Sequence, residues 1–253
     1  MSNAVVSLTY VPADFLEQTA TLQINGASEC TLERGSVRIV FPNTSHAAVA
    51  PRLQDLWTMI NARLRARQLL THQHYELGRA DVVIEHEDGR RDIFVTLSEA
   101  VVAVCGMQAD VIVKDSQGRI VRDSRAARLS HERDLGAALI DPSAMADAVL
   151  QRVLCSYENA VKDPEDELVH LYEIREALSA ALGGDALARQ ALDISDADWR
   201  TLGRLANSEP IRPGRHRGSH SGALRDATEG ELREARRIAR SLIEGYLNWR
   251  RGV

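Results

Sequence analysis

From Asp141 to Gly184 the sequence reads DPSAMADAVLQRVLCSYENAVKDPEDELVHLYEIREALSAALGG, and this stretch decides the fold of the second half. An aspartate followed by proline indicates a helix start, because the carboxylate caps free backbone amides and proline fits the first helical turn. The pair occurs at Asp141-Pro142 and again at Asp163-Pro164. Gly183-Gly184 then supplies the left-handed conformation that commonly ends a helix. The stretch therefore predicts two consecutive helices.

The remainder of the chain continues this helical pattern. Ser195 precedes a third principal helix, a short helix is expected at 185–191, and Thr228 with Glu231 has the spacing of a capping box before the last helix. Apolar residues at helical spacing are expected to face inward: Val149, Leu150, Val153, Leu154, Tyr157, Leu168, Leu171, Ile174, Ala177, Leu178, Ala181, Leu232, Ala235, Ile238, Ala239, Leu242, Ile243, Tyr246 and Leu247. Residues 141–253 are therefore predicted to form an all-α helical bundle.

The first 140 residues have a different pattern. Short runs rich in Val, Ile and Thr predict strands near residues 5–10, 19–24, 30–33, 34–41, 81–85, 92–97, 100–104 and 109–113. Asn25-Gly26 is a favoured hairpin turn, and residues 47–70 switch to helical spacing. We expect a mixed β-sheet with one long helix in residues 1–140, which makes the whole chain an α+β protein of two domains, 1–140 and 141–253.

Composition excludes several classes of protein. The 253 residues are 44% hydrophobic and carry a formal charge of −5, so a wholly basic nucleic-acid binder is excluded. Three cysteines, odd in number and far apart, fit reduced thiols better than a disulfide framework or a zinc site. No apolar run approaches a membrane span, and the start of the chain lacks a secretory signal pattern. We expect a cytoplasmic protein with no membrane association and no cofactor.

One loop is strongly basic in this acidic chain. Residues 207–222 read NSEPIRPGRHRGSHSG. Histidine exchanges protons near neutral pH, and guanidinium groups bind phosphate through paired hydrogen bonds. The loop therefore suits cleavage of a phosphodiester without metal, with Arg212 and Arg217 as phosphate-binding residues. The competing interpretation is a solvated loop that only joins two helices.

The arrangement Arg215, four residues, then His220, just ahead of the final amphipathic helix, resembles the HEPN family of small helical ribonucleases and nucleotide-binding modules. That family carries an arginine and a histidine separated by four to six residues, commonly with a polar residue directly after the arginine, where this chain has His216. The resemblance covers about residues 141–251. It implies that Arg215 and His220 are the catalytic pair and that His216 assists them.

The resemblance also implies an activity and partners. Active family members are metal-independent endoribonucleases that cleave RNA through the 2′-hydroxyl, usually as homodimers. Many act as toxins or in phage defence, and a regulatory protein partner is therefore also implied. This chain departs from the family where polar or small residues separate Arg215 from His220. A second function stays open at this point: a non-catalytic dimeric adaptor whose basic loop binds phosphate or an acidic partner.

Two further groups of residues are interpreted as structural. His72, His74 and Glu76 alternate in a way that could place metal ligands on one strand face, but an exposed polar strand start explains them better, and no metal site is predicted. The tryptophans lie on helical stripes and are expected in the core or at an interface: Trp57, Trp199 and Trp249.

Overall fold

The computed structural model describes residues 2–94, 112–114, 117, 119–214 and 223–252. The chain divides into two compact units. The first unit contains Met1–Arg67 and Tyr75–Glu132, and the second contains Gln68–His74 and Arg133–Val253. The described strands belong to the first unit and most helices to the second, so the chain is an α+β protein.

The first unit is built on an antiparallel sheet. Its described strands are β1 (Ser2–Val11), β2 (Ala20–Thr21), β3 (Glu29–Glu33), β4 (Ser36–Phe41), β5 (Glu76–Leu77), β6 (Asp81–His86) and β7 (Arg91–Phe94). They follow the order β2-β3-β4-β1-β6-β7, and β5 pairs with the end of β1. A separate hairpin joins β8 (Ile112–Lys114) to β9 (Ile120–Asp123). The strand predicted at 100–104 lies outside the described residues.

The prediction of a mixed sheet is wrong for the described strands, whose pairings are all antiparallel. Part of the reason is local, because short turns reverse the chain between β3 and β4 and between β6 and β7, whereas β1 pairs with β4 and β6 over long sequence separations. Arg34 and Gly35 have φ of 47° and 80° and form the two-residue turn between β3 and β4, where Glu33 pairs with Ser36. Two residues at positive φ match the twist of an antiparallel hairpin.

The long helix of the first half is present as α2 (Leu53–Thr71), preceded by α1 (His46–Val49) and a single 3₁₀ turn (Ala50–Arg52). Pro51 lies inside that turn and separates the two helices. Alternate residues of the sheet and one face of α2 form the core of the first unit, which includes Val6, Leu8, Tyr10, Phe15, Leu32, Val37, Ile39, Phe41, Leu56, Ile60, Leu64 and Ile84.

The second unit is helical, as predicted. Its helices are the end of α3 (Ser124–Leu139), then α4 (Pro142–Met145), α5 (Ala148–Lys162), α6 (Glu167–Ala181), α7 (Asp185–Leu192), α8 (Asp196–Gly203), a π-helical turn (Arg204–Ser208) and α9 (Glu229–Gly252). Most of the predicted inward-facing residues of α5, α6 and α9 are buried. The prediction is wrong for four residues near helix ends or at the edge of an apolar face: Val149, Ala177 and Leu232 are half-buried, and Ala181 is exposed. Among the described residues, no helix is both long and apolar enough to span a bilayer.

The helix ends confirm most of the capping predictions. Ser195 accepts a hydrogen bond from the amide of Asp198 at the start of α8, and Gly183 has a φ of +86° after α6. Two predictions are corrected. Asp163-Pro164 does not start a helix, because Asp163 ends α5 and α6 begins only at Glu167, after a turn. The helix that begins after Asp141 ends within one turn, and Asp147 caps a new helix by accepting from the amide of Leu150 at 2.8 Å. A second capping aspartate six residues after the first therefore splits the predicted helix in two.

Candidate functional site

Four of the five predicted site residues, Arg215, His216, Arg217 and His220, lie outside the described residues. The fifth, Arg212, is exposed, and its Nε donates to Oδ1 of Asp226 at 2.8 Å. The structure describes the chain on both sides of residues 215–222, which we call the basic segment.

The two ends of the basic segment are joined to each other. The amide of Arg212 donates to the carbonyl of Arg225 at 3.0 Å, and the amide of Arg225 donates to the carbonyl of Pro210 at 2.9 Å. Between them, Ile211 forms a parallel bridge with Arg225 and is completely buried. The chain thus leaves the bundle and returns to it at one place, beside the start of α9.

Gly214, the residue before the basic segment, lies close to backbone oxygens of neighbouring residues. Its amide donates to the carbonyl of Ile211 at 2.9 Å and closes a turn. A Cβ at this position would lie 2.9 Å from the Ile211 oxygen and 3.2 Å from the Ala206 oxygen, both in the backbone. Because backbone oxygens cannot move aside as a flexible side chain can, any larger residue would shift the point where the basic segment begins.

The other end is held by Arg225. Its Nη1 and Nη2 donate to the two carboxylate oxygens of Glu231 at 2.8 and 2.6 Å. The same carboxylate accepts from the amide of Thr228 at 2.8 Å, and Thr228 Oγ1 accepts from the amide of Glu231 at 3.2 Å. This arrangement confirms the predicted capping box. The hydrogen bonds from Arg225, followed by those from Thr228, lower the pKa of Glu231 to about 2.

An open cleft of about 770 Å³ adjoins both ends of the basic segment. Its walls come from the residues before α6, from both flanks of the segment and from the first turns of α9: Pro164, Glu165, Arg212, Pro213, Leu224, Asp226, Ala227 and Leu232. The charged part of this lining consists of two carboxylates and one guanidinium, which is paired with Asp226.

A buried ion pair connects the two helices that begin at the cleft. Arg236 on α9 donates from Nε and Nη2 to the two oxygens of Glu167 on α6 at 2.7 and 2.8 Å. The Glu167 side chain is only 2% exposed, whereas that of Arg236 is 25% exposed. The hydrogen bonds to Glu167 raise the pKa of the Arg236 guanidinium. The interaction is bidentate, with two parallel hydrogen bonds, so it fixes the relative orientation of the two side chains as well as pairing their charges.

His72 extends this ion pair into a cluster that the sequence did not indicate. Its Nε2 lies 3.4 Å from Oε1 of Glu167, and its Nδ1 lies 3.3 Å from Oη of Tyr157, whose hydroxyl donates to the carbonyl of Leu69 at 3.1 Å. The expected exposed strand start is therefore wrong for His72, whose side chain is 15% exposed. Burial, with a smaller contribution from Arg236, lowers the pKa of His72 to about 3.

No local signal could have found this cluster, because His72, Tyr157, Glu167 and Arg236 come from four separate parts of the chain. Glu167 in particular is explained from sequence by the helix dipole alone, since it stands in the first turn of α6. Among the described residues, no three His, Cys, Asp or Glu side chains are grouped as metal ligands would be.

Comparison with known proteins finds no match to this chain among protein-family models, curated proteins or solved structures. The HEPN resemblance therefore depends on the spacing of Arg215 and His220 and on the position of that motif before the last helix.

Proposed function

We propose that this chain is a metal-independent endoribonuclease of HEPN type that cleaves RNA through attack of the 2′-hydroxyl. The observation that supports this proposal most is the joining of the two ends of the basic segment beside a cleft at the start of α9. A segment that carries Arg215 and His220 is thus attached at both ends to a well-packed bundle. Catalysis requires such support, because reacting groups have to be held in position.

The chemistry follows from the residue types. His220 acts as the base that takes the proton from a ribose 2′-hydroxyl, and the 2′-oxygen then attacks the neighbouring phosphorus. The bond from phosphorus to the 5′-oxygen breaks, and that oxygen leaves with a proton, for which His216 is the donor. Arg215 stabilises the negative charge that develops on the phosphoryl oxygens. The products are a 2′,3′-cyclic phosphate and a free 5′-hydroxyl, and no metal or cofactor takes part.

Arg212 and Arg217 are proposed to bind the phosphates of the RNA on either side of the cleaved bond. For Arg212 this means exchanging Asp226 for a phosphate. Both side chains are mostly exposed, at 64% and 84%, so the existing ion pair contributes little to stability and its loss does not oppose binding strongly. Active HEPN proteins usually work as homodimers. We therefore propose that this chain forms a homodimer that brings two basic segments together.

We propose a cytoplasmic role as a toxin or phage-defence effector, restrained by a regulatory protein partner. The test uses total cellular RNA with EDTA present throughout. It compares the wild type with Arg215→Ala, His220→Ala and a matched control, Arg233→Ala, which removes an arginine that is 68% exposed on α9. We expect the wild type and the control to cleave RNA to cyclic-phosphate ends, and the other two variants to be at least about 100-fold slower.

Equal activity in all four proteins would place the site elsewhere and refute the proposal. Complete inactivity of all four, with circular dichroism showing folded protein, would also refute it and favour the non-catalytic adaptor.

A further inference from the structure

A groove in the first unit has the composition of a ligand-binding site. It measures about 530 Å³ and is lined by Leu53, Gln54, Trp57, Leu77, Arg79 and Ala80. Small-molecule sites commonly have volumes of roughly 300–1,000 Å³ and combine apolar and aromatic walls with a few polar groups. This groove has that combination, with one aromatic ring, one guanidinium and one carboxamide.

The tryptophan wall of the groove is held in one orientation. Nε1 of Trp57 donates to the carbonyl of Gly78 at 3.1 Å, and the ring is partly buried against the core. Gly78 is itself attached to β1, because its amide donates to the carbonyl of Thr9 at 2.8 Å. A Cβ on Gly78 would lie 2.9 Å from Oγ1 and 3.2 Å from the carbonyl oxygen of Thr9, so this close approach requires glycine. The indole is therefore positioned before a ligand arrives, which lowers the entropic cost of binding.

Arg79 supplies the charge. It follows Gly78 directly, is exposed, and forms no hydrogen bond or ion pair with another residue that the structure describes. Most other arginines of the first unit that the structure describes have carboxylate partners, such as Arg38 with Glu29 and Arg63 with Glu132. A guanidinium beside a fixed aromatic wall can accept an anion without giving up a pair with any residue that the structure describes.

We propose that this groove binds a small planar anion, namely an aromatic ring that carries a carboxylate or a phosphate. The ring stacks on Trp57 and contacts Leu53 and Leu77, and the anionic group receives paired hydrogen bonds from Arg79. We expect an anion because the charged group among the described lining residues is a guanidinium. The site uses none of the residues proposed for RNA cleavage, so this proposal is tested independently of the proposed nuclease activity.

The test follows the indole N–H resonance of Trp57 in a proton–nitrogen correlation spectrum, where the variant Trp57→Phe assigns the signal by removing it. Two probes are titrated into the full chain to about 5 mM, a range that detects millimolar affinity. They are 2-naphthoate, an aromatic carboxylate, and adenosine monophosphate, an aromatic phosphate. We expect the Trp57 signal to shift in a saturable way with at least one probe, and the stronger binder identifies the source of the anion.

The variant Arg79→Gln is expected to weaken that binding about tenfold, which corresponds to one charge-assisted interaction of about 1.4 kcal/mol. Arg90→Gln, which removes another exposed arginine of the first unit, should bind like the wild type. Three results would overturn the proposal: no saturable shift with either probe, unchanged affinity in Arg79→Gln, or equal binding of the neutral 2-naphthalenemethanol.

Discussion

We expect the buried cluster around His72 to make the stability of the second unit depend on pH between 7 and 5. Burial and the nearby Arg236 lower the pKa of His72 to about 3, whereas an unfolded histidine has a pKa of about 6.5. Between these two values the unfolded chain binds a proton at this position and the folded chain does not. Stability from the neutral ring is therefore fully present above about pH 6.5 and decreases as the pH falls toward 3.

The size of the effect follows from the difference in pKa. Each pH unit below about 6.5 lowers the free energy of unfolding by about 1.4 kcal/mol. Lowering the pH from 7 to 5 should therefore lower it by about 2 kcal/mol. No large discount for solvent screening is needed, because the His72 side chain is only 15% exposed. Over this range carboxylates contribute little, since unfolded Asp and Glu titrate near pH 4.

The assay is urea unfolding at pH 7, 6 and 5, followed by tryptophan fluorescence in a Trp57→Phe background. In that background the remaining tryptophans, Trp199 and Trp249, both belong to the second unit. The comparison variant is His72→Asn, because asparagine tolerates the φ of +54° that His72 adopts and does not titrate. The control is His131→Gln, which removes an exposed histidine.

We expect the variant His72→Asn to lose about 2 kcal/mol less than its parent between pH 7 and 5, whatever its stability at pH 7. His131→Gln should follow the parent. If parent and His72→Asn decline in parallel, the neutral buried imidazole does not control this pH dependence and the reasoning is wrong.

Three further predictions concern the same unit. Arg236→Met should cost about 3 kcal/mol in urea unfolding by leaving the Glu167 carboxylate buried without its partner, and adding Glu167→Gln should recover part of that loss; a double variant as unstable as the single one would contradict this. Gly214→Ala should leave the melting temperature within a few degrees but reduce RNA cleavage, because the new Cβ meets the Ile211 oxygen, and full activity would show that the segment's starting point is unimportant. Ser195→Ala should lower the unfolding free energy by about 1 kcal/mol through loss of the α8 cap, whereas an unchanged value would mean that water replaces the hydroxyl.

The features predicted correctly from sequence are those whose physical causes are local. Ser195 caps α8, Gly183 ends α6, and Thr228 with Glu231 starts α9, since each depends on groups within a few residues. The apolar stripes of the bundle were equally predictable, because helical spacing alone determines which side chains share a face. The split at Asp147 was missed because helical periodicity continues across it and only the capping geometry reveals the break.

The candidate site was predictable only in part, for the same reason. A concentration of Arg and His between two helices is visible in the sequence, whereas the joining of Pro210 to Arg225 depends on backbone groups that have no sequence signature. The cluster of His72 with Glu167 required two side chains that are 95 positions apart to become buried together. Such pairings result from tertiary packing, which local propensity does not encode.

The charges around the basic segment differ from the charges within it. We call the described residues on either side of the segment, together with the start of α9, the frame. Each arginine that builds the described frame has a carboxylate: Arg212 with Asp226, Arg225 with Glu231, and Arg236 with Glu167. A neighbouring carboxylate therefore neutralises the positive charge of each of these three arginines. Residues 215–222, by contrast, contain two arginines and no acidic residue. In the proposed mechanism Arg212 exchanges Asp226 for a phosphate, but a phosphate bound by Arg215 or Arg217 need not break the ion pairs of Arg225 and Arg236. The ion pairs that hold the start of α9 can therefore remain intact when RNA binds.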